Sequence, residues 1–325
     1  MKDQYGRQIN YMRVSVTDRC NLRCIYCMPE EGVDQVSHQD ILTYAEITRI
    51  VNAAAAAGIT RIKLTGGEPL VRKNLAGLAG DIKALPGIEE VTVTTNGVLL
   101  KEQLEDLVAA GVSAVNISLD TLDPGMYAQI ARRDALASAV EGLEAAIACP
   151  GLKVKVNCVL LPGINESQWI KIAELAKDRP VDVRFIEMMP VGLGKNFQTG
   201  FEEEVLERLR SAFGREQTAS GHFGNGPAKY VQFEGFAGKI GFISALSHKF
   251  CSECNRIRLT AEGFLKPCLQ YAAGEDLREL VRGEVSEEEL IQAVERAIYY
   301  KPACHHFEEK DSLDFEQKDM FEIGG

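Results

Sequence analysis

The chain has 325 residues, of which 46% are hydrophobic and 26% charged, as in ordinary folded proteins. Its net charge of −11 argues against a nonspecific nucleic-acid binder, which needs a basic face. The polar N-terminus lacks the apolar core of a signal peptide, and no apolar run is long enough to span a bilayer. We therefore expect a cytoplasmic protein, in which the nine cysteines stay reduced.

Strand and helix patterns alternate over residues 11–190. The strand patterns lie at 12–17, 61–65, 90–95, 114–119, 153–161 and 183–188. Helical patterns separate them, and two of these end at Gly58 and Gly111. Six βα units predict an α/β protein with a parallel sheet, two units short of a closed barrel. A partial (βα)6 TIM-like barrel therefore fits slightly better than a doubly wound sheet, although periodicity does not separate the two.

The pattern changes after residue 213. Residues 214–230 are rich in glycine and polar side chains, which is typical of a linker or long loop. Short strand patterns follow, with a hairpin turn at 261–263, a helical pair at 275–300 and an acidic tail. We predict a barrel domain at 1–212 and a C-terminal α+β domain at 213–325, which would carry a second metal site.

Three cysteines follow the first strand, namely Cys20, Cys24 and Cys27. An iron–sulfur cube normally takes four thiolates, so a trio leaves one iron open. In isolation the trio could also be a chance surface group or half of a split zinc site. However, it lies at the end of a strand where barrel sites are found, and TGGEP at 65–69 directly follows the next strand. Paired glycines at such a position let the backbone approach a ligand closely.

Together, CxxxCxxC and the GGEP motif resemble the radical S-adenosylmethionine enzymes. The resemblance implies that the three thiolates hold a [4Fe-4S] cluster and that S-adenosylmethionine binds its fourth iron. One electron then cleaves the sulfonium and releases the 5′-deoxyadenosyl radical. The contacts with S-adenosylmethionine that the resemblance implies are Tyr26, Gly67, Glu68, Ser118 and Met189. Without the resemblance, strand-end packing would be the preferred interpretation of Ser118 and Met189.

A second group of cysteines lies across the predicted hairpin, and consists of Cys251, Cys254 and Cys268. The spacing suits a zinc site, with His248 or Cys304 as a fourth ligand, as well as an iron–sulfur cluster. Arg256 and Arg258 lie between these cysteines and project to one face of a strand. Two guanidinium groups beside an open metal site suit a polyphosphate.

The segment CxxC-NRxRLT and the terminal Gly-Gly resemble the GTP 3′,8-cyclase family of molybdenum cofactor biosynthesis, over nearly the whole chain. The family implies a second [4Fe-4S] cluster that binds GTP at its open iron. The radical removes the ribose 3′ hydrogen, and C3′ attacks guanine C8 to give (8S)-3′,8-cyclo-7,8-dihydroguanosine 5′-triphosphate. The implied GTP contacts are Arg13, Lys63, Thr94, Lys155, Arg256 and Arg258. Lys63 departs from the family, which usually has arginine at this position. Lysine keeps the positive charge but lacks the planar guanidinium group.

The resemblance also implies catalytic roles for four residues, namely Arg256, Arg258, Gly324 and Gly325. The tail would enter the barrel, with Met320, Phe321 and Ile323 as its anchors. The implied partners are a flavodoxin- or ferredoxin-type electron donor and a downstream cyclic pyranopterin monophosphate synthase, with no nucleic acid and no membrane. The oligomeric state, including a homodimer, stays open.

Two alternatives remain at this point. One is a radical enzyme that modifies peptides and carries an auxiliary cluster. The other is a non-catalytic electron-transfer or zinc protein with two metal sites, which leaves TGGEP and the partial barrel unexplained.

Overall fold

The computed structural model describes residues 1–33, 36–37, 39–219, 221, 223–309 and 314–324. Its centre is one 12-stranded sheet with helices packed on the outer face. Six strands in the N-terminal part are β1 (Tyr11–Ser15), β2 (Arg61–Thr65), β3 (Glu90–Thr95), β4 (Val112–Ser118), β5 (Lys153–Val159) and β6 (Val181–Ile186). They are parallel and adjacent in chain order, which confirms the six predicted βα units.

Helices cross over between these strands. In chain order they are α1 (Tyr44–Ala56), α2 (Leu75–Lys83), α3 (Leu100–Ala109), α4 (Pro124–Ala131), α5 (Leu136–Ala148) and α6 (Trp169–Glu174). Helix α1 begins with a capping box, in which the Thr43 side chain accepts from the Glu46 amide and the Glu46 carboxylate accepts from the Thr43 amide. Among the described residues, no helix combines the length and apolarity required to cross a bilayer.

The C-terminal part extends the same sheet in both directions. Its elements are α7 (Glu202–Phe213), β7 (Gln217–Thr218), β8 (Lys229–Gln232), β9 (Ile240–Ile243), β10 (Arg256–Leu259), β11 (Phe264–Lys266), β12 (Glu275–Asp276), α8 (Leu277–Arg282) and α9 (Glu287–Tyr299). Strand β9 pairs with β6 and β10 pairs with β1, both in parallel, so eight parallel strands lie side by side. The sequence predicted the hairpin β10–β11 and the helical pair but not this continuation, because pairing between distant strands leaves no local pattern. The domain boundary at 212/213 stays a prediction.

The two faces of the sheet differ in chemistry. On the outer face, apolar side chains such as Met12, Val14 and Ile62 are fully buried against the helices. On the inner face the alternate positions are polar, as with Arg13 and Lys63, which are cross-strand neighbours. Because polar side chains do not close into a dry core, the inner face encloses a cavity instead of the packed interior of a closed barrel.

Candidate functional site

The loop that carries the first cysteine trio is held against the GGEP loop by backbone contact. The Gly67 amide donates to the Thr17 carbonyl at 2.8 Å, and the Glu68 amide donates to the Arg19 carbonyl at 2.8 Å. A Cβ on Gly67 would lie 2.5 Å from the Arg19 carbonyl oxygen, and one on Gly66 would lie 2.5 Å from that of Thr17. The paired glycines therefore allow one loop backbone to approach another, and the predicted contact of Gly67 with a ligand stays a prediction.

The carboxylate of Glu68 ties this loop to the end of β3. It accepts from the Leu70 amide at 3.1 Å, from the Thr95 hydroxyl at 2.7 Å and from the Asn96 amide at 2.6 Å. Burial raises the pKa of this carboxyl to about 7, although the hydrogen bonds oppose the shift. The Asn96 side chain in turn donates to the Asn21 side chain at 2.7 Å, next to Cys20. Through Asn96, Glu68 thus links the GGEP loop and the end of β3 to the cysteine loop.

The three cysteines of this loop are half-buried and lie in one environment. Burial raises the pKa of Cys20 to about 11 and that of Cys27 to about 12, and charged neighbouring thiols raise the pKa of Cys24 and Cys27 further. Such thiols ionise only when a strong positive charge joins them, as bound iron provides. The nearby carboxylates of Glu68 and Asp120 are occupied by hydrogen bonds, which leaves a set of three thiols. The residues present therefore fit a cluster with one open iron.

Half-buried Tyr26 and buried Asp120 form a hydrogen-bonded pair beside the trio. The Tyr26 hydroxyl donates to the Asp120 carboxylate at 2.6 Å, and the other carboxylate oxygen accepts from the Val159 amide at 2.8 Å. Burial raises the pKa of Asp120 to about 6. Ser118 lies half-buried at the end of β4, and Met189 follows β6 and packs near Ile323. Of these four residues only Asp120 was missed by sequence reasoning, because a lone aspartate after a strand gives no distinct signal.

A cavity of about 470 Å³ lies on the inner face of the sheet. The residues predicted to contact GTP all line it, namely Arg13, Lys63, Thr94, Lys155, Arg256 and Arg258. Cys251, Cys254 and Cys268 line the same cavity, as does Met189. The sheet register explains this convergence, because Arg13 lies between Lys63 and Arg258, and Lys155 lies opposite Asn116. Strands from both halves of the chain thus build one site.

The cavity is strongly cationic, although the chain as a whole is acidic. Eight basic residues line it: Arg13, Lys63, Lys153, Lys155, Arg184, Arg256, Arg258 and Lys301. Only two acidic side chains, Glu90 and Asp182, lie among the described lining residues. Burial and the charges of Arg184 and Arg13 hold the pKa of Lys63 well below its usual value. Burial together with Arg13 and Arg256 lowers the pKa of Arg258 to about 9. These groups repel one another, and a polyanion would relieve the repulsion.

The second cysteine trio lies at one end of this cavity. Burial raises the pKa of Cys251, whereas Lys301 and Arg256 overcome burial and lower the pKa of Cys254 to about 7. Among the described residues, no three His, Cys, Asp or Glu side chains come close enough to share a single metal ion. Three cysteines that line one end of a cavity, one of them with its thiolate favoured by nearby cations, fit an iron–sulfur cluster held by thiolates.

The C-terminal tail reaches the inside of the sheet. Phe321 and Ile323 are buried, and the Gly324 carbonyl accepts a hydrogen bond from Arg258 at 2.6 Å. Gly324 has a positive φ of 77°, and a Cβ there would lie 3.2 Å from Ser15 at the end of β1. The described part of the tail is therefore an ordered element of the site, whereas Gly325 lies outside the described residues.

Sequence reasoning missed several residues of the cavity. Arg184 lies on β6 and donates to the Asn157 side chain at 2.9 Å. Asp182 and Arg184 occupy alternate positions of an otherwise apolar strand, and this pattern could have indicated a polar inner face. His305 and Lys301 follow α9 with no recognisable motif, and the segment 223–227, expected to be linker, lines the cavity. Its Phe223 carbonyl accepts from the Lys155 ammonium, which also donates to the Tyr230 hydroxyl at 3.0 Å.

Comparison with known proteins agrees with this geometry. The family model described as Radical SAM superfamily matches residues 14–176, and the model described as Molybdenum Cofactor Synthesis C matches residues 181–307. Among solved structures, Streptococcus suis SuiB bound to S-adenosylmethionine superposes with a TM-score of 0.61 at 14% identity, over 90% of this chain and 68% of that one. SuiB bound to its precursor peptide SuiA gives a TM-score of 0.59 at 15% identity, over 92% of this chain and 66% of that one. This likeness concerns the fold. Fold, first cysteine trio and family model together define a radical S-adenosylmethionine protein.

Full-length relatives define which family within this superfamily the chain belongs to. A protein of Clostridium perfringens named GTP 3′,8-cyclase is 43% identical over 325 residues, which is 100% of both chains. A Pelotomaculum thermopropionicum protein of the same name is 44% identical over 328 residues, again over 100% of both chains. The chain belongs to the GTP 3′,8-cyclase family.

Proposed function

We propose that this protein converts GTP to (8S)-3′,8-cyclo-7,8-dihydroguanosine 5′-triphosphate, the first step of molybdenum cofactor biosynthesis. The observation that carries the proposal is the cavity itself, in which eight basic residues face two acidic ones in a chain of net charge −11. Membership of the family supports the same conclusion. The charge excess matches a triphosphate, since buried cations gain most from an anion when water is excluded.

The chain's own residues have distinct tasks in this proposal. Arg13, Lys63, Lys155, Arg256 and Arg258 bind the triphosphate, with Thr94 as a further contact of the nucleotide. Arg184 joins them, because it lies on the same inner face. Guanidinium groups hold phosphate oxygens in pairs, so they fix the orientation of the nucleotide as well as its position. The Gly324 carbonyl holds the Arg258 guanidinium by its hydrogen bond and so orients it towards the substrate.

The cysteine trios are the proposed holders of two [4Fe-4S] clusters. Cys20, Cys24 and Cys27 hold the first, with S-adenosylmethionine contacted by Tyr26, Gly67, Glu68, Ser118 and Met189, and Cys251, Cys254 and Cys268 hold the second. When bound, the first cluster and S-adenosylmethionine supply one-electron cleavage of the sulfonium and hydrogen-atom abstraction. Asp120 holds the Tyr26 ring beside the trio through its hydroxyl, which limits water and fixes the ring for the adenine.

The proposal extends to the protein's surroundings. A flavodoxin or ferredoxin would supply the electron, and a cyclic pyranopterin monophosphate synthase would consume the product. We place the reaction in the cytoplasm, where reduced cysteines and low-potential donors are found. A homodimer is compatible with the proposal and is not required by it, since one chain contains both cysteine trios.

Anaerobic turnover with GTP, dithionite and S-adenosylmethionine tests the proposed activity. We expect 5′-deoxyadenosine and the cyclised nucleotide to appear in equal amounts. If 5′-deoxyadenosine forms at the same rate with and without GTP, and no cyclised nucleotide is found, the nucleotide substrate is wrong. Peptide modification would then be the class to examine.

A further inference from the structure

His305 is the one buried histidine that lines the cavity among the described residues. The residue is only 6% exposed, and both ring nitrogens lack a hydrogen-bond partner among the described residues. The Ala245 carbonyl lies near the ring but does not reach hydrogen-bond geometry. Because a buried polar nitrogen without a partner is costly, its presence indicates a ligand that completes it.

The surroundings of His305 differ from those of the phosphate-binding strands. Its ring packs on Phe307 at a centroid distance of 4.5 Å and a tilt of 35°. Its backbone amide donates to the Cys251 sulfur, and the residue lines the cavity together with the second cysteine trio. Phe250, Pro267 and Leu269 line the same end of the cavity. This end offers stacking surfaces and the imidazole nitrogens beside Arg256 and Lys301, whereas Arg13, Lys63 and Lys155 lie on strands further along the cavity wall.

We infer that His305 hydrogen-bonds to the polar edge of the guanine base and helps to select GTP over ATP. The inference rests on the proposed function, in which the triphosphate occupies the cationic wall. When the triphosphate lies on the cationic wall, the base lies at the end of the cavity lined by Phe250 and Phe307. Guanine and adenine differ at their edges, because guanine carries a carbonyl oxygen and a ring N–H where adenine carries an amino group and a bare ring nitrogen. A site that hydrogen-bonds one edge leaves buried groups unpaired with the other.

Equilibrium binding to the cluster-loaded protein under anaerobic conditions tests this role. The variants are His305→Ala and His305→Gln, and the probes are GTP, ATP and inorganic tripolyphosphate. We expect His305→Ala to bind GTP about tenfold more weakly, which corresponds to the loss of one buried hydrogen bond. Its affinity for tripolyphosphate should not change, and its preference for GTP over ATP should shrink. His305→Gln restores a donor and an acceptor, so part of the GTP affinity should return.

His306→Ala is the matched control. The neighbouring imidazole has an exposed fraction of 40% and contacts the Cys304 sulfur at 3.2 Å outside the cavity. This variant should bind GTP, ATP and tripolyphosphate as the wild type does. Iron content, measured on every variant, separates loss of the second cluster from loss of recognition.

Three results would overturn the inference. Unchanged GTP affinity in His305→Ala would do so, as would an equal fall for GTP and tripolyphosphate. A fall in both variants that follows a loss of iron would assign His305 a structural role. If the wild type cyclises GTP and any of these results appears, the proposed function stands and only the role of His305 is wrong. A wild type that neither binds nor cyclises GTP would instead overturn the proposed function.

Discussion

Individual basic residues of the cavity carry its affinity for a polyanion. Lys63, Lys155, Arg184, Arg258 and Lys301 are buried in a chain of opposite net charge, so they have lost hydration that a phosphate would replace. Arg256 is informative because its Nε is buried without a hydrogen-bond partner among the described residues, while its guanidinium lies 5.2 Å from the centre of the Phe250 ring. The group is held in place by packing and is prepared for a ligand.

We expect Arg256→Ala to weaken GTP binding ten- to a hundredfold and to leave S-adenosylmethionine binding nearly intact. A hydrogen bond to a charged group contributes about 1.5–3 kcal/mol, which sets this scale. Calorimetric titration of the cluster-loaded protein measures it. Lys101→Ala is the control, because Lys101 pairs with Glu141 on the surface and both side chains are 60% exposed. Wild-type GTP affinity in a folded Arg256→Ala protein with both clusters would contradict a phosphate role for Arg256.

The ammonium of Lys63 should make GTP binding dependent on pH. Burial and neighbouring cations lower its pKa in the free protein, and a bound polyanion favours the charged form and raises it again. GTP binding therefore takes up a proton, and affinity falls as pH rises through the lowered pKa of the free protein. Titration in buffers of different ionisation enthalpy measures this uptake. Lys63→Arg should bind GTP well and show less of this dependence, and an identical pH profile in that variant would assign the dependence to another group.

The Cys24 thiol is one of three at the first trio, so its loss cannot be compensated there. We expect Cys24→Ala to abolish 5′-deoxyadenosine formation and to retain about four irons per chain instead of about eight. Iron and sulfide analysis together with product detection measures both effects. Continued cleavage of S-adenosylmethionine by this variant would contradict the proposed role of the trio.

At the scale of elements, the site depends on close contact between loops at the ends of β1 and β2. The GGEP loop and the loop before Cys20 are joined through backbone hydrogen bonds from Gly67 and Glu68. Glycine is required there because a side chain would overlap backbone oxygens, which cannot move without displacing the cysteine loop. The glycine pair thus places the trio without touching it.

We expect Gly67→Ala to destabilise the protein by about 1–3 kcal/mol and to lower the iron content of the first cluster. Its Cβ would lie 2.5 Å from the Arg19 carbonyl oxygen and 2.6 Å from that of Asp18. The control is Gly80→Ala in α2, where the nearest atom would lie 3.8 Å away. That variant should be stabilised by up to about 1 kcal/mol, because alanine restricts the unfolded chain. Chemical denaturation and iron analysis distinguish the two, and equal behaviour of both variants would contradict the packing argument.

At the scale of the whole molecule, the two ends of the sequence meet inside one sheet. Strand β10 lies beside β1, and the tail passes the ends of β1 and β2 to reach Arg258. The tail also contacts the first trio, because the Phe321 backbone amide donates to the Cys27 sulfur. It therefore connects the region of the first trio with the cavity that the second trio lines.

Deleting Gly324 and Gly325 should spare both clusters and most of the GTP affinity, since Arg258 keeps its charge. Product yield should fall severely, because Arg258 loses the carbonyl that orients it. Single-turnover measurement of 5′-deoxyadenosine and cyclised nucleotide per enzyme tests this. Met320→Leu preserves the apolar contact of the tail and serves as the control with wild-type yield. A truncated chain with wild-type yields would mean that the tail has no part in the reaction.

Local patterns in the sequence were sufficient to predict the six βα units, the two groups of three cysteines and the basic residues of β10. Each of these depends on spacing within a short stretch, such as the alternation that puts Arg256 and Arg258 on one face. The same holds for the glycine pair, which the structure packs against the loop backbone at Thr17 and Arg19.

Only the tertiary structure decided how distant segments combine. The parallel pairing of β9 and β10 with β6 and β1 brings Arg184, Lys301 and His305 into one cavity with the cations of the first strands. The segment 223–227, expected to belong to a linker or long loop, also lines that cavity, and the tail, whose entry only the family resemblance had implied, is buried at Phe321 and Ile323. These features depend on contacts between residues that are far apart in the chain, for which periodicity and spacing carry no information. The sequence therefore determined which side chains carry charge or thiols. The pairing of distant strands determined which of these side chains line one cavity.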